Sequence, residues 1–185
     1  MASEEKLKPR TKGLVLVFTG NGKGKTTAAL GMALRAVGHR YRVAVVQFIK
    51  GTMRTGEQEA AKMLAPYLDW TTTGKGFTAG PAARATPEEH RQAAQDALKL
   101  AGEKLQSGEY RLVILDELLG AIKAGLVDIE QVVELIKSKP AAVHMVLTGR
   151  DVPAEIVDLA DLVTEMREIK HPYEQGIVAQ KGVEF

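Results

Sequence analysis

The segment Gly20-Asn21-Gly22-Lys23-Gly24-Lys25-Thr26-Thr27 concentrates the chemistry of this chain. Small residues let consecutive backbone N–H groups converge on an anion with no side chains in the way. Lys25 adds a point charge, and Thr26 a hydroxyl that can ligate magnesium. Both stand where a helix should begin, so the partial positive charge of a helix N-terminus falls beneath the same anion. These residue types in this order call for the phosphates of a nucleoside triphosphate. The pattern G-x-x-x-x-G-K-[ST] is met except at its start: counting back from Gly24 gives Thr19, and Gly20 comes one residue late.

A second group is acidic. Asp116-Glu117 closes the apolar run Leu112 to Leu115. Paired carboxylates at the end of a strand can hold magnesium, directly or through water, against phosphates; alone, the same dipeptide reads as a helix cap. The glycine-rich loop favours the metal reading for Thr26, Asp116 and Glu117. Thr148-Gly149-Arg150 follows the run Val143 to Leu147, and two readings of Arg150 stand: a phosphate contact, or a turn arginine paired with Asp151 or another carboxylate. Arg35 lies well down the first helix, where periodicity suggests a structural ion pair. His39, His90, His144 and His171 show no metal-ligand spacing. His144 falls inside a strand, and His90 on the first turn of a helix is expected to be exposed. No Ser-His-Asp arrangement is present.

These residues need a scaffold that brings distant loops together. Leu14 to Phe18 reads as a buried strand feeding the glycine loop, and residues 25–38 carry Ala28, Ala29, Met32, Ala33, Ala36 and Val37 at helical spacing. Residues 43–49 have the near-continuous apolar character of a strand covered on both faces. A short helix is expected over 57–65, a strand over 68–73, and a glycine-rich loop over 74–80. Thr86-Pro87-Glu88-Glu89 marks a capped helix start, followed by an apolar face ending at Leu105. Then come the strand 112–115, a helix opened by Asp128 and Gln131 and closed near Pro140, the strand 143–147, a helix over about 153–159, and a last strand through 162–166. Alternating strands and helices predict an α/β fold with a mainly parallel sheet covered on both faces.

The chain has 185 residues, fitting one domain (13–185) behind a flexible N-terminal arm (1–12). Lys6, Lys8, Arg10 and Lys12 are the sole basic cluster, and a net charge of +2 argues against a nucleic-acid surface. With no cysteine, disulfides, thiolate metal sites and cysteine nucleophiles are excluded. No apolar run reaches the roughly twenty residues of a membrane span, and no secretory signal is visible, so a cytoplasmic protein is expected.

Several strings together resemble one family, the ATP:corrinoid adenosyltransferases of the P-loop type. They are the glycine loop through Ala29, Arg35-Ala36-Val37-Gly38-His39, Val45-Val46-Gln47-Phe48-Ile49-Lys50-Gly51, Gly76-Phe77-Thr78, Val113 to Leu118, Leu147 to Arg150, and Lys170-His171-Pro172-Tyr173 through Gly182. The resemblance runs from about Leu14 to the C-terminus. It implies a RecA-like three-layer sandwich, ATP held by residues 20–27 with Arg35 and Arg150, and magnesium or manganese held through Glu117. It further implies a corrinoid co-substrate, a reduced flavoprotein or similar electron donor, and a homodimer.

In such an enzyme the nucleophile is cobalt(I), which attacks the ribose 5′ carbon. The triphosphate then leaves, and ATP lies in the reverse of the usual sense, in keeping with Thr19. Lys25 and Phe77 are the residues to which this resemblance gives catalytic roles, with Gly76, Phe77 and Thr78 on the corrinoid. Phe77 would displace the lower axial ligand of cobalt(II), although here it could instead anchor its loop against the sheet. Where the family usually has tryptophan two residues on, this chain has Ala79. Two rivals stand beside this reading: an ordinary P-loop kinase or ATPase, and a non-catalytic corrinoid- or nucleotide-binding paralogue.

Overall fold

The computed structural model describes residues 12–49, 55–76 and 85–184. Six strands form one sheet: β1 (Val15–Thr19), β2 (Val43–Gln47), β3 (Leu68–Thr72), β4 (Leu112–Asp116), β5 (His144–Thr148) and β6 (Leu162–Glu165). Their order is β3-β2-β4-β5-β1-β6, and every pairing is parallel. All strands therefore end on the same edge. Parallel pairing requires crossovers, supplied by α1 (Lys25–Gly38), α2 (Gly56–Met63), α3 (Pro87–Gln106), α4 (Leu118–Lys123), α5 (Ile129–Ser138) and α6 (Ala154–Leu159).

Alternation along each strand assigns the layers. Val15 and Val17, Ala44 and Val46, Val113 and Leu115, and Met145 and Leu147 pack in one core with α3, α4, α5 and α6. Leu16 and Phe18, Val43 and Val45, Leu112 and Ile114, and Val146 face the other way, onto Ala29 and Ala33 of α1 and Ala61 of α2. The result is a three-layer sandwich in which central strands are apolar on both faces, as the sequence pattern required.

The capping box expected at Thr86 forms: Thr86 accepts from the Glu89 N–H while Glu89 accepts from the Thr86 N–H. Asp128 and Gln131 form another at α5. His90 is a correction, for it is buried rather than exposed. It lies three and four residues before Ala93 and Ala94, on the inward stripe of α3. Lys12, placed by sequence in the arm, pairs with Asp161, whose other carboxylate oxygen accepts the Val15 N–H at 2.9 Å. Residues 1–11 lie outside the described residues. Among the described residues no helix is long and apolar enough to cross a membrane.

Candidate nucleotide site

The glycine loop hangs from the carboxyl end of β1, and the mismatch at Thr19 has a structural cause. Thr19 still belongs to the strand, paired with Glu165, and its carbonyl accepts the Met166 N–H at 2.8 Å. The turn begins at Gly20, with φ 98°, and ends at Gly24, with φ 106°. A Cβ on Gly20 would come within 2.4 Å of the Met166 carbonyl oxygen, so that position takes only glycine. The Gly22 N–H donates to the same carbonyl at 2.7 Å, bracing the loop against the segment after β6.

Lys25 is buried beneath this turn, and its Nζ donates to the carbonyls of Gly20 at 2.8 Å and Gly22 at 2.7 Å. Two of the three ammonium donors are thereby engaged and its position is fixed across the loop. Burial lowers the pKa of Lys25 and nearby Arg150 lowers it further, opposed by Glu117 and Asp116. An anion in the cradle would favour its charged form.

Asp116 is the organising carboxylate. It has no exposed surface, and its Oδ1 accepts the hydroxyls of Thr26 and Thr148, both at 2.8 Å. Its Oδ2 accepts from Gln47 Nε2 at 2.8 Å. Three strand ends and the first turn of α1 thus meet on one side chain. Because Thr26 spends its proton on Asp116, its oxygen lone pairs are left for a cation. The network extends outward: Thr72 Oγ1 donates to Gln47 Oε1 at 3.3 Å and accepts from Gln58 Nε2 at 3.2 Å.

Glu117 follows in the left-handed conformation, φ 60°, at the N-cap of α4, without a side-chain capping bond. Such a conformation is costly for a residue with a Cβ and is held here by a specific contact, the Glu117 N–H donating to Thr148 Oγ1 at 2.9 Å. The helix-cap reading is therefore not what the side chain does. Gly120 leaves it room, since a Cβ there would lie 3.1 Å from Glu117 Oε2.

A cleft of about 590 Å³ opens over these groups, lined by Lys23, Lys25, Thr26, Thr27 and Glu117. Its size suits a nucleotide. Leu30 of α1, Gly56 and Glu57 of α2, and Gly182, Val183 and Glu184 complete its walls. Glu184 pairs with Lys23 at 3.1 Å. Of these wall residues, only Gly182 is marked by the sequence, as the end of the C-terminal string that carries the resemblance; the others arrive from distant segments with no motif to mark them.

The other expected residues are placed as follows. Asn21 is exposed at the turn. Arg150 is exposed beside the cradle, and the Asp151 carboxylate accepts instead from Lys123 at 2.5 Å. Arg35 occupies the last turn of α1, roughly 15 Å along the axis from Lys25 at 1.5 Å per residue. It lies beside His39, Tyr41, Arg111 and His144 at the opposite edge of the sheet, not in the cleft. Gly76 is tied to the site edge by its N–H, which donates to the Ile49 carbonyl at 3.1 Å. Phe77, Thr78 and Ala79 lie outside the described residues, as do Lys50 and Gly51. Among the described residues no three histidine or acidic side chains come together to hold a metal. A cation here would rest on Thr26, Glu117 and the phosphates themselves, a donor set that suits magnesium.

An all-parallel sheet with a glycine loop after β1 and an acidic residue after β4 defines a P-loop nucleotide-binding protein. Fold similarity agrees: the flagellar accessory protein FlaH from Methanocaldococcus jannaschii superposes with TM-score 0.54 at 15% identity, covering 83% of this chain and 71% of that one. The family described as ATP:corrinoid adenosyltransferase BtuR/CobO/CobP matches residues 11–185. A corrinoid adenosyltransferase from Sinorhizobium is 43% identical over all of this chain and 87% of its own length. Those of Pseudomonas aeruginosa and Escherichia coli K12 are 42% and 38% identical, each over 94% of this chain and 84% and 86% of their own. The chain belongs to the ATP:corrinoid adenosyltransferase family of enzymes.

Proposed function

We propose that this protein transfers the 5′-deoxyadenosyl group of ATP to the reduced cobalt of a corrinoid and releases tripolyphosphate, in adenosylcobalamin biosynthesis or salvage. The observation that carries this reading is a family match along nearly the whole chain laid on a complete phosphate cradle. Cobalt(I) donates an electron pair to the ribose 5′ carbon. The bond from that carbon to its phosphate oxygen breaks, and the electron pair leaves on tripolyphosphate. Negative charge thus grows on the departing chain, where the loop N–H groups and Lys25 would stabilise it best.

Thr26 and Glu117 are the groups that would hold magnesium or manganese, with Asp116 orienting Thr26 from behind. When bound, the ion supplies further stabilisation of the departing charge. Arg150 would reach the phosphates, since its guanidinium is exposed beside Lys25 and Asp151 is engaged by Lys123. Gly76, Phe77 and Thr78 would meet the corrinoid. Arg35 would need a contact beyond this cleft to touch ATP. A homodimer, a reduced flavoprotein as electron donor, and action in the cytoplasm belong to the same proposal.

An anaerobic assay with strong reductant, magnesium and ATP tests it. Formation of the light-sensitive cobalt–carbon bond together with tripolyphosphate is the expected outcome. ADP with orthophosphate would instead identify a kinase or ATPase. Ala79 gives the paralogue reading its one specific support, and tight corrinoid binding with no cobalt–carbon bond would establish it.

A further inference from the structure

At the edge of the sheet where the strands begin, the fold gathers cations and supplies them with no counter-charge. A cavity of about 190 Å³ lies there, lined by Arg35, His39, Arg111 and His144. Tyr41, Met32 and Leu112 give it apolar surface, and among the described residues no acidic side chain lines it. Other cations near this edge are met. Lys12 pairs with Asp161, Arg42 with Glu109 and Lys104 with Asp69, while Lys139 donates to the carbonyls of Gly13, Pro140 and Val143. Among the described residues Arg35 and Arg111 make no ion pair and donate no side-chain hydrogen bond.

Arg35 and His39 have one reason of their own to stand here, since cations complement the carbonyl end of α1. Arg111 and His144 do not share it. Arg111 immediately precedes β4 and His144 opens β5, and strands carry little net dipole. The Arg111 guanidinium lies 6.0 Å from the centre of the Tyr41 ring, which is itself 6.2 Å from the ring of His39. His144 Nδ1 accepts the Leu14 N–H at 3.1 Å, which leaves the ring proton on Nε2 as a donor. Burial, Arg111 and Lys139 all lower the His144 pKa, so this ring stays neutral near pH 7.

The unmatched charge therefore rests on two guanidinium groups, whose planar forks suit the oxygens of a carboxylate. Tyr41, Met32 and Leu112 suit a flat apolar body beside it. The cavity is too small for a nucleotide. It shares no residue with the cleft over the glycine loop, from which α1 separates it along its length. We infer that this cavity is a second binding site, for a small aromatic carboxylate whose oxygens are held by Arg35 and Arg111 and whose ring lies against Tyr41.

The test is calorimetric titration of benzoate into the full chain. Benzamide serves as the uncharged counterpart and inorganic phosphate as an anion with no apolar body. Benzoate should bind one to one and roughly tenfold more tightly than either, the difference expected of a charge-assisted contact. Arg111→Gln should weaken benzoate by about tenfold, and Tyr41→Ala, at an exposed position, by roughly threefold. Thermal unfolding checks that both variants fold, and Tyr41→Ala carries the test if Arg111→Gln does not. Saturating tripolyphosphate with magnesium should leave benzoate affinity unchanged. Absence of benzoate binding, equal binding of benzamide, displacement by tripolyphosphate, or a folded variant that binds as before would each overturn the inference. Phosphate that displaces benzoate at equal concentration would overturn it too, by showing a site for inorganic anions.

Discussion

Two strand-borne aspartates show how this fold treats a negative charge differently in two places. Asp116, buried at the end of β4, is surrounded by neutral donors: two threonine hydroxyls and one carboxamide. Asp69, on the edge strand β3, is matched by the ammonium of Lys104 and accepts the Tyr110 hydroxyl at 2.7 Å. Arg42 and Lys104 both lie over the Tyr110 ring, at 5.0 and 5.1 Å. The first carboxylate is held in place by neutral donors with the Lys25 ammonium nearby, whereas the second is met directly by an ammonium. A carboxylate that orients neighbouring hydroxyls suits the former arrangement, and a strand edge that must only be closed suits the latter.

The sharpest way to break this contrast is on the catalytic side. Lys25→Ala should lower tripolyphosphate release by roughly 10²–10³-fold, the range expected when a preorganised electrostatic contact is lost. Thermal unfolding should show a modest loss of stability, since the carbonyls of Gly20 and Gly22 lose their donor while the desolvation of a buried ammonium is relieved. A large fall in melting temperature would show that Lys25 holds the loop rather than the ligand.

Asp116→Ala comes next and should affect both measures. It strands three donors inside the protein, at about 1–3 kcal/mol for each left unsatisfied, and releases Thr26. Asp116→Asn keeps the volume, so it should recover part of the stability while activity stays low.

The contrast is sharpened at Asp69. Asp69→Asn should cost about 1 kcal/mol and leave transfer unchanged, because this partly exposed pair is screened by solvent. Its pH behaviour has a definite sign. Burial alone would raise the Asp69 pKa, yet the bonds from Lys104 and Tyr110 hold it below its ordinary value of 3.8. Its contribution is therefore present above pH 3.8 and lost as pH falls through the lower folded value. Urea titrations of both proteins should converge in that acidic window. The smallest effect belongs to Lys123→Ala, which removes an exposed partner of Asp151 and should leave the urea midpoint unchanged.

Local pattern made much of this legible in advance. The strands stood out because two-sided burial leaves nearly unbroken apolar runs, and the cradle because glycine, lysine and threonine have few other reasons to stand in that order. What escaped the sequence was either inverted in sign or long in range. Gln47 sits inside an apolar strand, and nothing nearby reveals that its amide serves Asp116. Helix α4 spans only Leu118–Lys123 and starts from a left-handed glutamate, which no capping rule anticipates. His90 was recoverable, since it shares the helical stripe of Ala93, Ala97 and Ala101. Glu57 carries no motif, and its place in the cleft wall emerges only when α2 is seen against the cradle.

The pairing of Lys23 with Glu184 has a practical consequence for handling the protein. Residues 182–184 form part of the cleft wall, so bulk added beside them would crowd the mouth of the cleft. An affinity tag or reporter joined there would compete for space with the nucleotide proposed to bind the cleft, and the lost activity would mimic a defective enzyme.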